Sequence, residues 1–319
     1  MRRAGIMVLV LALLSALALW LWYQRDMRAV NARLMTAASV VETAQGPLAY
    51  AMGGEGAPVL AIHGAGGGYD QGRLLAEAFL PASYRWIAPS RFGYRGSPLP
   101  SDASTAAQAD AFAGLLDALG IERITLLAMS GGVPPALQFA TRHPERAQAL
   151  ILLSMAPYAP LTAEEQALPV PLWLYDALFA TDFPLWALLR LSPRSLAPLF
   201  DARRALQAQM TGAEAAFLDA MIAAFLPVTQ RRDGLNNEGA AIAPDGIVAP
   251  EEIRVPVLII HAEDDLIAPF STARFTAGQI STAEVLTFTT GGHLLLGHHD
   301  TVRSRIAAFL GTAVPPLAE

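Results

Sequence analysis

The stretch Leu126-Leu127-Ala128-Met129-Ser130-Gly131-Gly132 sets a hydroxyl between small residues two positions to either side, at the end of an apolar run. A serine on a sharp strand-to-helix turn needs that smallness, because the chain folds back on itself there. By itself the stretch reads equally as a glycine turn with a helix-capping serine. Three further stretches bear on the choice. His63-Gly64-Ala65-Gly66-Gly67-Gly68 follows a second apolar run. Its glycines would let backbone N–H groups approach a developing oxyanion. Ala65 and Gly131 are the expected donors, with Gly66 in reserve, and His63 is expected to shape the loop rather than act as a base. His261-Ala262-Glu263-Asp264-Asp265 ends a third run in carboxylates, and Gly291-Gly292-His293 follows a fourth. A hydroxyl becomes a nucleophile when an imidazole takes its proton and a carboxylate orients that imidazole. Ser130, Asp264 or Asp265, and His293 stand in the chain order serine, acid, histidine.

Other chemistries fit less well. Tyr69 stands where a dinucleotide loop G-x-G-x-x-G needs its third glycine, and no Gly-Lys-Ser/Thr follows. His293, His298, His299 and Asp300 match no zinc spacing, so no metal is expected, and the proposed chemistry requires no cofactor. The 319 residues contain no Cys and no Lys, all 22 basic residues being arginines. That removes thiol nucleophiles, disulfides, Schiff-base chemistry and the phosphate-loop lysine. A net charge of -6 argues against a nucleic-acid partner.

The elements that must position these residues alternate. Short apolar runs at Val40–Thr43, Leu48–Met52, Val59–Ile62, Arg85–Ala88, Ile124–Ala128, Ala149–Ser154, Val255–Ile260 and Val285–Thr287 read as strands. Gln45-Gly46-Pro47 reads as the turn between the first two. Ala106–Leu119, Pro134–Arg142 and Val302–Leu310 read as helices. Alternating strands and helices predict an α/β fold with a mostly parallel sheet covered on both faces. From about Ala156 to Val248 the rhythm breaks into a helical, apolar stretch, expected to cap the carboxyl edge of the sheet. Within it Leu168–Leu191 is strongly apolar, but its prolines and aspartates exclude a second membrane span.

At the amino end, Ile6 to Tyr23 runs for eighteen residues without a charge, flanked by Arg2 and Arg3 and ending in Trp20, Trp22 and Tyr23. It spans roughly 30 Å as a helix, the thickness of a bilayer core. A cleaved signal peptide is the rival reading, since Ala16-Leu17-Ala18 resembles a cleavage site. The apolar run continues past that site, which favours an uncleaved single-pass anchor. Arginines on both sides nearly balance, and the short amino-terminal tail favours a catalytic domain outside the cytoplasm, in the periplasm of a bacterium.

The assembled motifs resemble the α/β-hydrolase superfamily with a helical cap, over roughly Thr43 to Leu310. The family's H-G-x loop matches His63-Gly64-Ala65 and its small-x-Ser-x-small elbow matches Ala128 to Gly132. Its strand-end H-G-x-x-D loop matches His261 to Asp265, which selects Asp265 over Asp264, and its G-G-H motif selects His293. Ser90-Arg91-Phe92-Gly93-Tyr94-Arg95-Gly96-Ser97 resembles the loop after the family's fourth strand. Ala128 and Ala262 replace two usual glycines and remain small. The uncharged run gives an anchor at 1–24 followed by a linker at 25–42, and the resemblance implies core at 43–155 and 251–319 and a cap at 156–250. It also implies a serine hydrolase acting on a small acyl substrate, most naturally a carboxylic ester. Carbon–carbon bond hydrolysis, perhydrolysis and a non-catalytic tethered binding protein are the alternatives. Trp173, Tyr175, Phe179, Phe183 and Trp186 in the cap suggest a hydrophobic substrate, or else packing between helices.

Overall fold

A computed structural model describes residues 2–157, 171–238 and 248–313. The parts of the expected cap at 158–170 and 239–247, and the tail 314–319, lie outside them. The chain opens with α1 (Arg2–Thr36), then β1 (Ser39–Thr43), β2 (Gly46–Gly53) and β3 (Ala57–Ile62). Next come α2 (Tyr69–Phe79), β4 (Tyr84–Pro89), α3 (Thr105–Ala118), β5 (Ile124–Met129), α4 (Val133–Arg142) and β6 (Ala147–Leu153). The cap region contributes α5 (Leu172–Phe179), α6 (Asp182–Leu191), α7 (Arg204–Gln207), α8 (Gly212–Ala223) and α9 (Arg232–Asn237). The fold closes with β7 (Val257–Ala262), α10 (Phe270–Gln279), β8 (Ala283–Phe288) and α11 (His299–Ala313).

Among the described residues the strands form one eight-stranded sheet in the order β1-β2-β4-β3-β5-β6-β7-β8. β1 and β2 pair antiparallel, as do β2 and β4, and the other neighbours run parallel. Both faces are buried, which is why the central strands read as unbroken apolar runs. Val59 and Ala61 of β3, with Leu127 and Met129 of β5, point into one core beside Phe79 and Phe309. Leu60, Ile62, Leu126 and Ala128 point into the other, beside Phe112 and Phe139.

Two expectations need correction. The stretch 25–42 is not a linker: α1 continues unbroken to Thr36, and β1 begins at Ser39. From Tyr23 onward one face of α1 is docked on the fold, with Met27 and Leu34 buried in the first core and Tyr23 and Val30 packed against it. That spacing is the apolar stripe of a surface helix. Its charged residues Arg25, Asp26 and Arg28 end the uncharged run without ending the helix. The β1–β2 turn is also shorter than read. Thr43 pairs directly with Gly46, leaving Ala44 and Gln45 as the turn.

Candidate active site

The register of the parallel ladder brings the loops together. Ile62 lies opposite Ala128, so the His63–Gly68 loop leaves β3 beside the point where Ser130 leaves β5. β7 and β8 end at the same edge, with Ala262 opposite Phe288, and send out the loops carrying Asp265 and His293. Helix α2 then starts from the glycine loop and α4 from the Ser130 turn.

Ser130 sits with φ +53° on a three-residue turn between β5 and α4. For a non-glycine residue this left-handed conformation is strained and persists only where packing enforces it. Gly132 supplies the enforcement. A Cβ there would lie 2.7 Å from the carbonyl oxygens of both Ile62 and His63, so only glycine lets β3 and the turn close up. A Cβ on Gly131 would stand 3.4 Å from the Ala65 nitrogen, and one on Gly64 would stand 3.0 Å from Ser130 Cβ. The two backbone segments expected to stabilise an oxyanion thus meet beside Ser130.

On the other side, His293 Nδ1 lies 2.8 Å from Asp265 Oδ2. Oδ1 of the same carboxylate accepts from the N–H groups of Ile267 and Ala268 at 2.8 and 2.9 Å. Burial alone would raise the Asp265 pKa; the His293 ring and the two N–H donors outweigh it and hold the carboxyl below its usual value. The ionised carboxylate accepts from Nδ1–H, leaving Nε2 of His293 as the basic nitrogen. Among the described residues His293 bonds to Asp265 but not to the Ser130 hydroxyl, a contact that catalytic sites commonly complete only with substrate present.

The other candidates have different partners. Asp264 is committed elsewhere: its side chain accepts from Gly292 N–H at 2.9 Å and from Arg203 at 2.7 Å. His63 is wholly buried between its own loop and the next, with the Arg91 N–H donating to Nε2 at 3.0 Å and Nδ1 meeting the Gly64 carbonyl at 2.7 Å. Burial, with the Arg91 and Arg231 cations nearby, pushes its pKa well below the ordinary imidazole value. His299 contacts the Leu294 carbonyl and packs between Phe79 and Phe217, while His298 stacks on Phe288. No metal-binding group of three such side chains occurs among the described residues.

The cap contributes residues that the sequence reading did not single out. Arg231 is fully buried, donates to the Gly67 carbonyl, and grips Asp70 through both terminal nitrogens. It clamps the glycine loop from above. Arg91 donates to the Gly131 carbonyl at 2.7 Å and pairs with Glu238, which also accepts from the Tyr94 hydroxyl. Burial, then the Glu238 charge, raises the Tyr94 pKa well above its usual value. Phe225 reaches over Gly66 and Leu206 lies against Gly292, giving both loops apolar neighbours. Glu214, buried at the start of α8, accepts from Gly297 and His299 N–H and holds the chain after His293. Arg91 and Tyr94 lay in a loop already marked by its pattern, and Thr211-x-x-Glu214 has the spacing of a capping box; Arg231 and Glu238 carried no local signal.

The aromatic residues of the cap divide. Tyr175 and Phe179 stack at 4.5 Å within α5, and Trp173 is exposed. Phe183 and Trp186 pack on Tyr23 and Trp22 of α1. The pair is therefore accounted for by packing between helices.

A mostly parallel sheet covered by helices, with a serine turn, an acid loop and a histidine loop gathered at its carboxyl edge, has the architecture of the α/β hydrolases. Residues 57–300 match the family model described as the alpha/beta hydrolase fold. A 2-hydroxymuconate semialdehyde hydrolase from Pseudomonas sp. (strain CF600) is 33% identical, over 82% of this chain and 89% of its own. An alpha/beta hydrolase fold protein from Nakamurella multipartita superposes with a TM-score of 0.75 at 26% identity, covering 86% of this chain and 98% of its own. A thermophilic esterase from Thermogutta terrifontis shares the fold, with a TM-score of 0.65 at 21% identity and the same coverage, 86% and 98%. The chain belongs to the α/β-hydrolase family and is an enzyme of that class.

Proposed function

We propose that the protein is a membrane-anchored serine hydrolase that cleaves carboxylic esters or related acyl substrates through an acyl-enzyme. The supporting observation is the buried Asp265–His293 pair on the same sheet edge as a strained Ser130 flanked by Ala65 and Gly131. In this reading His293 Nε2 takes the Ser130 proton as Oγ attacks the substrate carbonyl. The Ala65 and Gly131 N–H groups hold the oxyanion while Asp265 steadies the imidazolium. His293 returns the proton to the leaving alcohol. It then takes a proton from water, which attacks the acyl carbonyl, and returns that proton to Ser130 Oγ as the acid is released. Phe225 and Leu206 support a hydrophobic acyl or alcohol group.

The same residues could hydrolyse a carbon–carbon bond next to a ketone, a second reading supported by the name of the 33% identical relative. Turnover of nitrophenyl esters of graded chain length, set against turnover of 2-hydroxymuconate semialdehyde, separates the two. Ester turnover that rises with chain length and is lost in Ser130→Ala supports the first reading; turnover of the semialdehyde alone overturns it.

α1 is long and apolar enough to span a membrane. We read it as an anchor with the enzyme outside the cytoplasm. A carboxyl-terminal reporter active only in the cytoplasm would overturn that orientation.

A further inference from the structure

Helix α6 is largely apolar yet lies at the protein surface. Its charged residues are Asp182 and Arg190, and both are partnered. Asp182 accepts from the Thr229 N–H and hydroxyl, each at 3.0 Å, and Arg190 pairs with Asp26 of α1 at 2.5 Å. Leu185 and Trp186 face the core, while Leu191 is 87% exposed, Phe183 is 36% exposed, and Ala187, Leu188 and Leu189 are half-buried. Large apolar side chains left exposed beside one another mark a surface that meets a partner or lipid.

What lies against α6 is decided by where it touches α1. The Trp186 ring stands 5.4 Å from that of Trp22 and 5.3 Å from that of Tyr23, and Phe183 stands 5.3 Å from Tyr23. The Trp186 indole also donates to Asp26 at 3.0 Å, and the Arg190 guanidinium lies over Trp22. This is the level at which α1 changes character. Before it, the candidate span has no buried residue; after it, Met27 and Leu34 are buried in the fold. Tryptophan and tyrosine favour the membrane–water interface, and the exposed Arg25 and Arg28 on the docked side suit lipid phosphates.

We propose that α6 lies in the bilayer interface, with Phe183 and Leu191 seated among phospholipid headgroups and upper acyl chains, so that the membrane covers one side of the cap. The contacts with α1 make the placement rigid rather than tethered. It rests on the reading of α1 as a bilayer span.

The chain has no native cysteine, so single cysteines can report depth directly. Phe183→Cys, Leu191→Cys, Leu13→Cys and Val285→Cys would each carry a nitroxide on the full chain, in phosphatidylcholine–phosphatidylglycerol vesicles. Accessibility to oxygen and to a water-soluble nickel complex is then compared. Leu13 lies in the span and Val285 on exposed β8. The expected result is a deep signal at 13, a several-fold loss of nickel accessibility at 183 and 191 relative to 285, and oxygen accessibility retained. Water-like signals at 183 and 191 with 13 deep would overturn the proposal and leave the anchor standing. A water-like signal at 13 would overturn the anchor and the proposal with it. Shielding of 183 and 191 from both reagents would mean a second protein copy rather than lipid, and would also overturn it.

Discussion

The acid side of the site and the oxyanion side are held by different means. The Asp265 carboxylate is fixed by its own loop, through N–H groups two and three residues on, and by His293 from the next strand. The glycine loop and the Ser130 turn are braced from the cap by contacts between distant residues. Arg231 is 161 residues from Asp70, and Glu238 is 147 residues from Arg91. A short loop that carries its own donors is positioned wherever the sheet places it. The other side adds buried ion pairs from the cap, while the cap reaches the acid side through Arg203 on Asp264 and Glu214 on the chain after His293.

That contrast sets the order of expected effects. Asp265→Asn should lower kcat on an ester by about 10⁴-fold, because an amide no longer holds the His293 ring in the reactive tautomer. Its circular dichroism should stay native; a fall of less than about tenfold would remove Asp265 from the mechanism. Arg231→Met should act on stability, leaving Asp70 unpaired at a cost of about 3–5 kcal/mol in urea unfolding. A loss under about 1 kcal/mol would mean the cap does not brace the oxyanion side. Glu238→Ala should cost less, about 2 kcal/mol, since Arg91 keeps its bond to the Gly131 carbonyl.

Glu214→Gln should be the mildest, about 1 kcal/mol at pH 7, because glutamine can still serve the capping box with Thr211. Here the pH dependence has a definite sign. Burial would raise the Glu214 pKa, but the Thr211 and His299 N–H groups outweigh it and hold it below the usual value. The unfolded chain therefore binds the proton first as pH falls. The carboxylate's contribution is complete above an unfolded pKa of about 4.3 and disappears as pH drops through the lower folded value. The stability gap between wild type and Glu214→Gln should narrow in acid; a widening gap would contradict the assignment.

The same contrast governs what could be read from the chain. Ser130, His293 and the glycine loop sit in short motifs at strand ends, where local spacing reports geometry, while between Asp264 and Asp265 only the family resemblance decided. Arg231 and Glu238 act across more than a hundred residues, and no local pattern marks them. The spacing of Tyr23, Met27, Val30 and Leu34 is that of a docked helix, a signal the linker assignment at 25–42 overlooks. The loss of uncharged character at Arg25 disguised it as a linker. Helix α2 was hidden differently: it begins directly from the glycine loop and carries Gly72 inside it, two signals that ordinarily mark a turn. Phe183 and Trp186 had the composition of a substrate pocket, and only the course of α1 showed what they pack against.

The most direct test of the account is covalent. A fluorophosphonate probe reacts with a serine whose proton is taken by a neighbouring imidazole, so it reads Ser130, His293 and Asp265 together. The intact protein should be labelled at Ser130, with labelling abolished in Ser130→Ala. No labelling of the intact protein, or equal labelling of both, would contradict it.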